Sequence, residues 1–236
     1  MKYIASVSFG KDSLAMLLIL IEKGMPLDEV IFYNTGMEFQ AIYDVCKKVR
    51  KILKKNNIIY TELKPSTTFL YKMLKKNVQK RDGATQCGYG ICGGKCRWGT
   101  NDKNIAISKY LKQKYGNEYY EYIGIAADEQ KRIDQRRPPT KLLPLVEWNM
   151  TEKDCLEYCY KHQFYWEENG IRLYEVLDRV SCWCCSNKNK KELDNMFYYL
   201  PNYYLKIIGL LKEIKRNNKR DSIVVKKVEE FYLKML

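Results

Sequence analysis

Histidine is almost missing from this chain: His162 is the only one in 236 residues, so neither a histidine metal triad nor a Ser-His-Asp relay can be assembled within one copy. Its place at a predicted helix end fits a C-terminal dipole partner. Long apolar runs are also lacking. The longest, residues 14–21, falls far short of the roughly 20 residues that a membrane span requires. Met1-Lys2 leads into a short strand rather than a basic region with a long apolar stretch, so no signal peptide and no membrane are expected, and the expected location is cytoplasmic. Internal repeats, flexible linkers and low-complexity tails are absent as well. Acidic residues are scarce, with 28 Asp and Glu against 42 Lys and Arg, a net charge of +14. That excess fits a polyanionic partner such as RNA or DNA; solvated helix faces would account for it equally well. The 20 tyrosines interleaved with the lysines include candidates for base stacking, although most must serve the core and its boundary.

What is present begins with Ser6-Val7-Ser8-Phe9-Gly10-Lys11-Asp12-Ser13, which follows a short apolar run and opens an apolar-periodic segment. Strand, loop and helix are the implied order. Gly10 permits close backbone approach to an anion, Ser8 and Ser13 add hydroxyls, Lys11 adds charge, and the helix start supplies free N–H groups. The pattern is not a Walker A loop, which needs two glycines four residues apart before Lys-Ser/Thr. Here Asp12 places a carboxylate inside the loop, suited to holding Mg2+ beside a polyphosphate; a plain Asp/Ser helix cap is the alternative.

Strands are expected over residues 2–8, 29–34 and 58–63, separated by helices over 12–22 and 38–55, an alternation that implies a parallel sheet with right-handed crossovers. A ligand would lie at the carboxyl ends of the strands. Helices are further expected over 67–78, 104–115 and 151–162, the last N-capped by Thr151, with strands over 119–125 and 142–146. Residues 82–100 and 181–189 read as cysteine-rich loops, and the chain after Lys190 reads as helical, with breaks near Pro201 and Asn217-Asn218. The expected division is a nucleotide-binding α/β domain over 1–150, including the first cysteine loop, and a helical region over 151–236 carrying the second.

The Ser8–Ser13 loop resembles the S-G-G-K-D-S loop of the PP-loop ATP pyrophosphatases, in particular their phosphoadenosine phosphosulfate (PAPS) reductase-like branch. Further segments match in order: Tyr33-Asn34-Thr35-Gly36-Met37-Glu38-Phe39 is similar to D-T-G-x-E-F, and Gly124 to Arg132 to G-x-R-x-x-E-S-x-x-R. Pro144-Leu145-Val146-Glu147-Trp148 resembles P-L-x-x-W, and Cys182-Trp183-Cys184-Cys185 sits where relatives carry C-x-x-C. The resemblance implies a Rossmann-like parallel sheet of about five strands, adenine nucleotide alpha hydrolase-like, with a helical C-terminal extension. By the same resemblance Ser6, Ser8, Gly10, Lys11, Asp12 and Ser13 hold phosphates, Asn34, Thr35, Gly36, Glu38 and Gly124 line the nucleotide pocket, and Arg132 stabilises the transferring charge, with Lys11, Asp12 and Arg132 the expected catalytic residues.

Two groups of cysteines stand apart from the nine in the chain: Cys87, Cys92 and Cys96 in the first loop, Cys182, Cys184 and Cys185 in the second. In a reducing compartment such clusters are metal ligands or redox groups rather than disulfides, and two short-spaced loops supply a four-thiolate site. Spacing does not separate Zn2+ from a [4Fe–4S] cluster; sulfur chemistry and the resemblance favour the cluster. The expected ligands are Cys92, Cys96, Cys182 and Cys185, because adjacent Cys184 and Cys185 seldom both face one ion and Cys182-x-x-Cys185 matches the relatives. Cys87 and Cys184 are the reserves, since relatives carry R-W-C-T where this chain has Arg97-Trp98-Gly99-Thr100. Cys46, Cys155 and Cys159 read as small core residues.

The expected activity is that of a PP-loop enzyme: ATP and Mg2+ bind, the bond between the α- and β-phosphates is cleaved to adenylate an acceptor, and sulfur is inserted with help from the cluster. A nucleic acid acceptor and a sulfur donor protein are the implied partners. Reduction of PAPS or adenylyl sulfate is the rival; the thioredoxin-coupled reductases resemble one another in an E-C-G-L-H segment, whereas no cysteine follows Cys185 in this sequence. A non-catalytic, nucleotide-responsive nucleic acid binder is a third reading, disfavoured by the intact Lys11, Asp12 and Ser13.

Overall fold

A computed structural model describes residues 1–89, 96–185 and 187–213. They form two compact units interleaved along the chain, one made of Met1–Asn34, Phe39–Lys64 and Asn104–Arg172, the other of Thr35–Glu38, Pro65–Lys103 and the chain from Leu173. The division expected at residue 150 is sequential, whereas these units exchange segments several times.

The first unit is built on a parallel sheet of five strands: β1 (Lys2–Val7), β2 (Glu29–Tyr33), β3 (Ile59–Leu63), β6 (Tyr119–Ile123) and β7 (Lys141–Leu142), in the order β3-β2-β1-β6-β7. Strand β1 is central, pairing Ala5 with Val30 on one side and Tyr122 on the other. Every residue of β2 is buried, as expected of a parallel strand covered on both faces. Helix α1 (Lys11–Glu22) is buried from Ser13 to Leu20, which its unbroken apolar sequence demands. Helix α2 (Gln40–Lys55) is amphipathic instead, burying Ala41, Ile42, Val45, Cys46, Val49 and Leu53 at helical spacing. Helix α3 (Lys103–Tyr115) sets Ile107 and Leu111 against Ile4, Ile31 and Tyr33.

Helix α6 (Glu152–Lys161) starts with a reciprocal capping box, in which Thr151 Oγ1 accepts from the Asp154 N–H and Asp154 accepts from the Thr151 N–H. This agrees with the expected Thr151 cap.

Two expected elements differ. The helix expected over 67–78 is a single wide turn, Tyr71–Lys75, followed by a hairpin of β4 (Asn77–Gln79) and β5 (Thr85–Cys87). Lys80-Arg81-Asp82-Gly83 supplies turn chemistry that outweighs the weak helical period: Gly83 takes φ 81° and Asp82 Oδ1 accepts from the Ala84 N–H. The strand expected over 142–146 ends at Leu142, because Pro144 starts a short helix, α5 (Pro144–Glu147), at the position where its missing N–H is not needed. In the second unit, α8 (Lys190–Tyr199) and α9 (Pro201–Glu213) break at Pro201 as expected; the break expected at Asn217-Asn218 lies outside the described residues. No helix among the described residues is long and apolar enough to cross a membrane.

Candidate functional site

The loop after β1 folds on its own hydroxyls. Ser13 Oγ lies 3.1 Å from Ser8 Oγ, accepts from the Ser8 N–H at 3.2 Å and donates to the Gly10 carbonyl at 3.2 Å. Gly10 caps α1 without any side-chain hydrogen bond, and a helix start of this kind is a ready site for an anion. Phe9 adopts φ 57°, a left-handed conformation unusual for a bulky residue, at a position where the resembled loop carries glycine. Two contacts hold it there: the ring is fully buried 5.0 Å from Phe32, and the carbonyl accepts from the Trp166 indole at 2.7 Å.

Lys11 is nearly buried, and its Nζ donates to Asp12 Oδ1 at 2.7 Å and Glu152 Oε2 at 2.6 Å. Burial works against its charge, but the two carboxylates outweigh this and hold its pKa above the ordinary lysine value. Asp12 is pushed up, first by burial and then by Glu152 and Glu129, with Lys11 offsetting only part. Carboxylates therefore outnumber ammonium groups here, and a divalent cation arriving with a polyphosphate would offset the surplus. Among the described residues no group of three or more His, Cys, Asp or Glu side chains is arranged to hold a metal ion. Asp12 with Glu152 therefore fits Mg2+ only as one or two carboxylates completing a shell of phosphate oxygens and water.

The other nucleotide-pocket candidates fall into three environments. Gly124 directly follows β6 and lies against the start of α1, where a Cβ would lie 2.7 Å from Ser13 Cα, so only glycine fits. The Ser6 hydroxyl is engaged by Glu121 Oε1 at 2.6 Å, and the Asn34 amide by Glu62 and Tyr43, each at 3.0 Å. Arg132 donates to both oxygens of Glu129 at 2.7 Å. Thr35, Gly36 and Glu38 belong to the second unit, where Gly36 takes φ 75° and Thr35 Oγ1 donates to Glu38 Oε1 at 2.8 Å.

That second unit also gathers cysteines. The Cys96 and Cys182 sulfurs each lie 3.8 Å from the point where a Cβ on Gly99 would sit, and Cys96 Sγ accepts from the Gly99 N–H at 3.1 Å. Cys182 Sγ is 3.7 Å from Glu38 Oε1 and 3.6 Å from Thr35 Oγ1, and the Cys185 N–H closes a turn onto the Cys182 carbonyl at 3.0 Å. Burial, then the Glu38 charge, pushes the Cys182 thiol up; burial likewise raises Glu38. Two sulfurs near one glycine, with Cys185 on the same tight turn as one of them, are two candidate thiolates and a neighbour, not an assembled metal site among the described residues. Cys92 lies outside the described residues. Cys184 is buried against Met37 and Leu210, and Cys87 is exposed on β5. Cys46, Cys155 and Cys159 are buried as expected of core residues.

Sequence reading missed Glu152, Glu129 as a neighbour of Asp12, and Trp166. Only the capping box at Thr151 marked Glu152 as a residue at a helix start.

Residues 2–88 match the phosphoadenosine phosphosulfate reductase domain family. An uncharacterised protein of Methanocaldococcus jannaschii is 23% identical over 217 residues, covering 87% of this chain and 40% of the relative. An adenosine 5′-phosphosulfate reductase of Bacillus mycoides is 28% identical over 161 residues, covering 66% of this chain and 62% of the relative. The chain thus spans between 40% and 62% of the length of these curated relatives. Among solved structures, the U34-tRNA thiolase NcsA from Methanococcus maripaludis, with its [4Fe–4S] cluster, is similar with a TM-score of 0.44 and 16% identity, over 92% of this chain and 73% of that one. The part of the chain that matches the phosphoadenosine phosphosulfate reductase domain family, residues 2–88, is the part that seats the Ser8–Ser13 loop between the central parallel strand and the start of α1.

Proposed function

We propose that this protein binds ATP with Mg2+ at the Ser8–Ser13 loop, cleaves the bond between the α- and β-phosphates to adenylate an acceptor, and takes part in inserting sulfur into it. The observation that carries the reading is Lys11, held between Asp12 and Glu152 at the uncapped start of α1. The first-turn N–H groups, the Ser8 and Ser13 hydroxyls and Lys11 would bind phosphate oxygens, and Asp12 with Glu152 would hold Mg2+. An acceptor oxygen attacks the α-phosphorus, the α–β bridging bond breaks, and pyrophosphate leaves with its charge stabilised by Lys11 and Arg132; Mg2+, held by Asp12 and Glu152, would add to that stabilisation. Cys96, Cys182 and Cys185, with Cys92, are the proposed holders of a [4Fe–4S] cluster or Zn2+, and a cluster would supply a site for binding sulfur. A nucleic acid acceptor is favoured by the net charge of +14, and sulfur would come from a donor protein.

The test is calorimetric nucleotide binding and pyrophosphate release with Lys11→Ala and Asp12→Ala. Both variants are expected to bind ATP more weakly and to turn over more slowly; unchanged affinity and turnover in both would reject the assignment. Reduction of adenylyl sulfate or PAPS is the second reading, motivated by the 28% identity to an adenosine 5′-phosphosulfate reductase. Sulfite released from either nucleotide in the presence of thioredoxin would favour it, and pyrophosphate released from ATP would favour the first.

A further inference from the structure

Helix α2 carries a charge pattern that the nucleotide site does not use. Beyond Asp44, its only carboxylate, the solvent face presents Lys47, Lys48, Arg50, Lys51, Lys54 and Lys55, all exposed. At 1.5 Å per residue these six cations occupy about 12 Å of helix axis. Lys47, Lys51 and Lys55 recur every four residues along one line, about 6 Å apart. Like charges at that spacing repel and weaken a helix, and a face built only for solubility interleaves both signs. The helix dipole accounts for Lys54 and Lys55 in the last turn, and Arg50 lies over the Tyr60 ring at 4.9 Å. Neither explains Lys47, Lys48 and Lys51, and the Asp44 carboxylate one turn earlier already accepts from Gln40. Among the described residues none of the six cations is in an ion pair.

We propose that this face of α2 docks the sugar–phosphate backbone of a nucleic acid. A row of exposed lysines neutralises phosphates without reading bases, so it positions a strand and leaves selection of the reacting atom to the nucleotide site. The proposal deepens the acceptor reading above and rests on it. Such binding releases counterions and weakens with salt in proportion to the number of phosphates contacted.

The experiment titrates a short fluorescein-labelled single-stranded RNA, and DNA of the same sequence, across a salt series with wild type and two charge-matched triples. One is Lys47→Gln/Lys51→Gln/Lys55→Gln on α2. The other is Lys109→Gln/Lys112→Gln/Lys161→Gln, at exposed positions elsewhere. Glutamine keeps helix propensity, so far-UV circular dichroism should not change. Losing three phosphate contacts should lower the salt slope by about 2 and low-salt affinity by at least about tenfold, with the control triple near wild type; retained binding of either strand type supports the surface. Equal losses in both triples, an unchanged slope in the α2 triple, or polyglutamate competing as well as nucleic acid would overturn it. If the triple is poorly folded, Lys47→Gln and Lys51→Gln alone should each lower the slope by about 0.7, and no change in either overturns the proposal. ATP binding is measured on the same samples. Intact ATP binding with α2-independent RNA binding defeats this surface alone, whereas lysine-dependent RNA binding without ATP binding defeats the enzymatic reading and leaves the surface standing.

Discussion

Replacing Gly124 by alanine tests how tightly the nucleotide loop is seated. The added Cβ would meet Ser13 Cα at 2.7 Å, Ser13 N at 2.9 Å and the Asp12 carbonyl carbon at 3.1 Å, all backbone atoms that no rotamer change can clear. Carbon atoms pack at about 3.5–4.0 Å, so the first turn of α1 must retreat by roughly 1 Å. Overpacking of this kind costs about 1–3 kcal/mol, or several degrees of Tm in a chain of this size. Function should suffer more, since a misplacement of about 1 Å near reacting groups can cost about a hundredfold in rate, and both Asp12 and Ser13 move. Gly116→Ala is the matched control. It forces a side chain onto φ 61° but meets nothing within 4 Å, so it should cost about 1–2 kcal/mol with nucleotide affinity untouched. Thermal unfolding and ATP titration of both variants decide the matter. Unchanged affinity in Gly124→Ala, or equal losses of affinity in both, would refute the reasoning.

Glu29 is fully buried in β2, where Thr61, Tyr110, Tyr115 and Lys114 donate to it. Burial opposes its charge, but these hydrogen bonds win and lower its pKa, so the stability it adds is present above the unfolded carboxylate value and lost as pH falls through the folded one. Glu29→Gln should cost about 1–3 kcal/mol near neutral pH, the share from half-exposed Lys114 being small after screening. The Tm gap from wild type should narrow below about pH 4; a gap that widens there would contradict the sign. Trp166→Phe removes the donor to the Phe9 carbonyl and should weaken ATP binding while retaining cooperative unfolding, as calorimetry would show. Ala substitutions at Cys92, Cys96, Cys182 or Cys185 should each lower iron, sulfide or zinc per chain in anaerobic preparations, whereas Cys155→Ala should not; equal metal in all five would remove the cysteine assignment.

The alternating first half of the fold was readable because each element there repeats its own period: buried β2 without alternation, α2 with a clean amphipathic stripe. The 67–78 stretch was not, since a weak apolar period competes with the turn residues that follow and the turn prevails. At the site, the loop was legible because its chemistry is contiguous in sequence. The partner of Lys11 was not, because Glu152 reaches it only once α6 packs beside α1, and no local pattern distinguishes a helix-start glutamate that meets a lysine from one that meets water. The convergence of Cys96 with Cys182 was anticipated only as a pairing of loops; Gly99, which leaves room between the two sulfurs, gave no signal beyond its departure from the relatives' cysteine.

Synthesis order gives the central strand another meaning. β1 is translated long before one of its two neighbours in the sheet, residues 119–123. The indole that steadies Phe9 comes later still, at position 166. Contacts this distant in sequence form slowly, so the Ser8–Ser13 loop sets long after it is translated. On the proposed function, a nascent chain would lack a set nucleotide loop until most of the first unit exists, which would keep half-made copies from sequestering nucleotide.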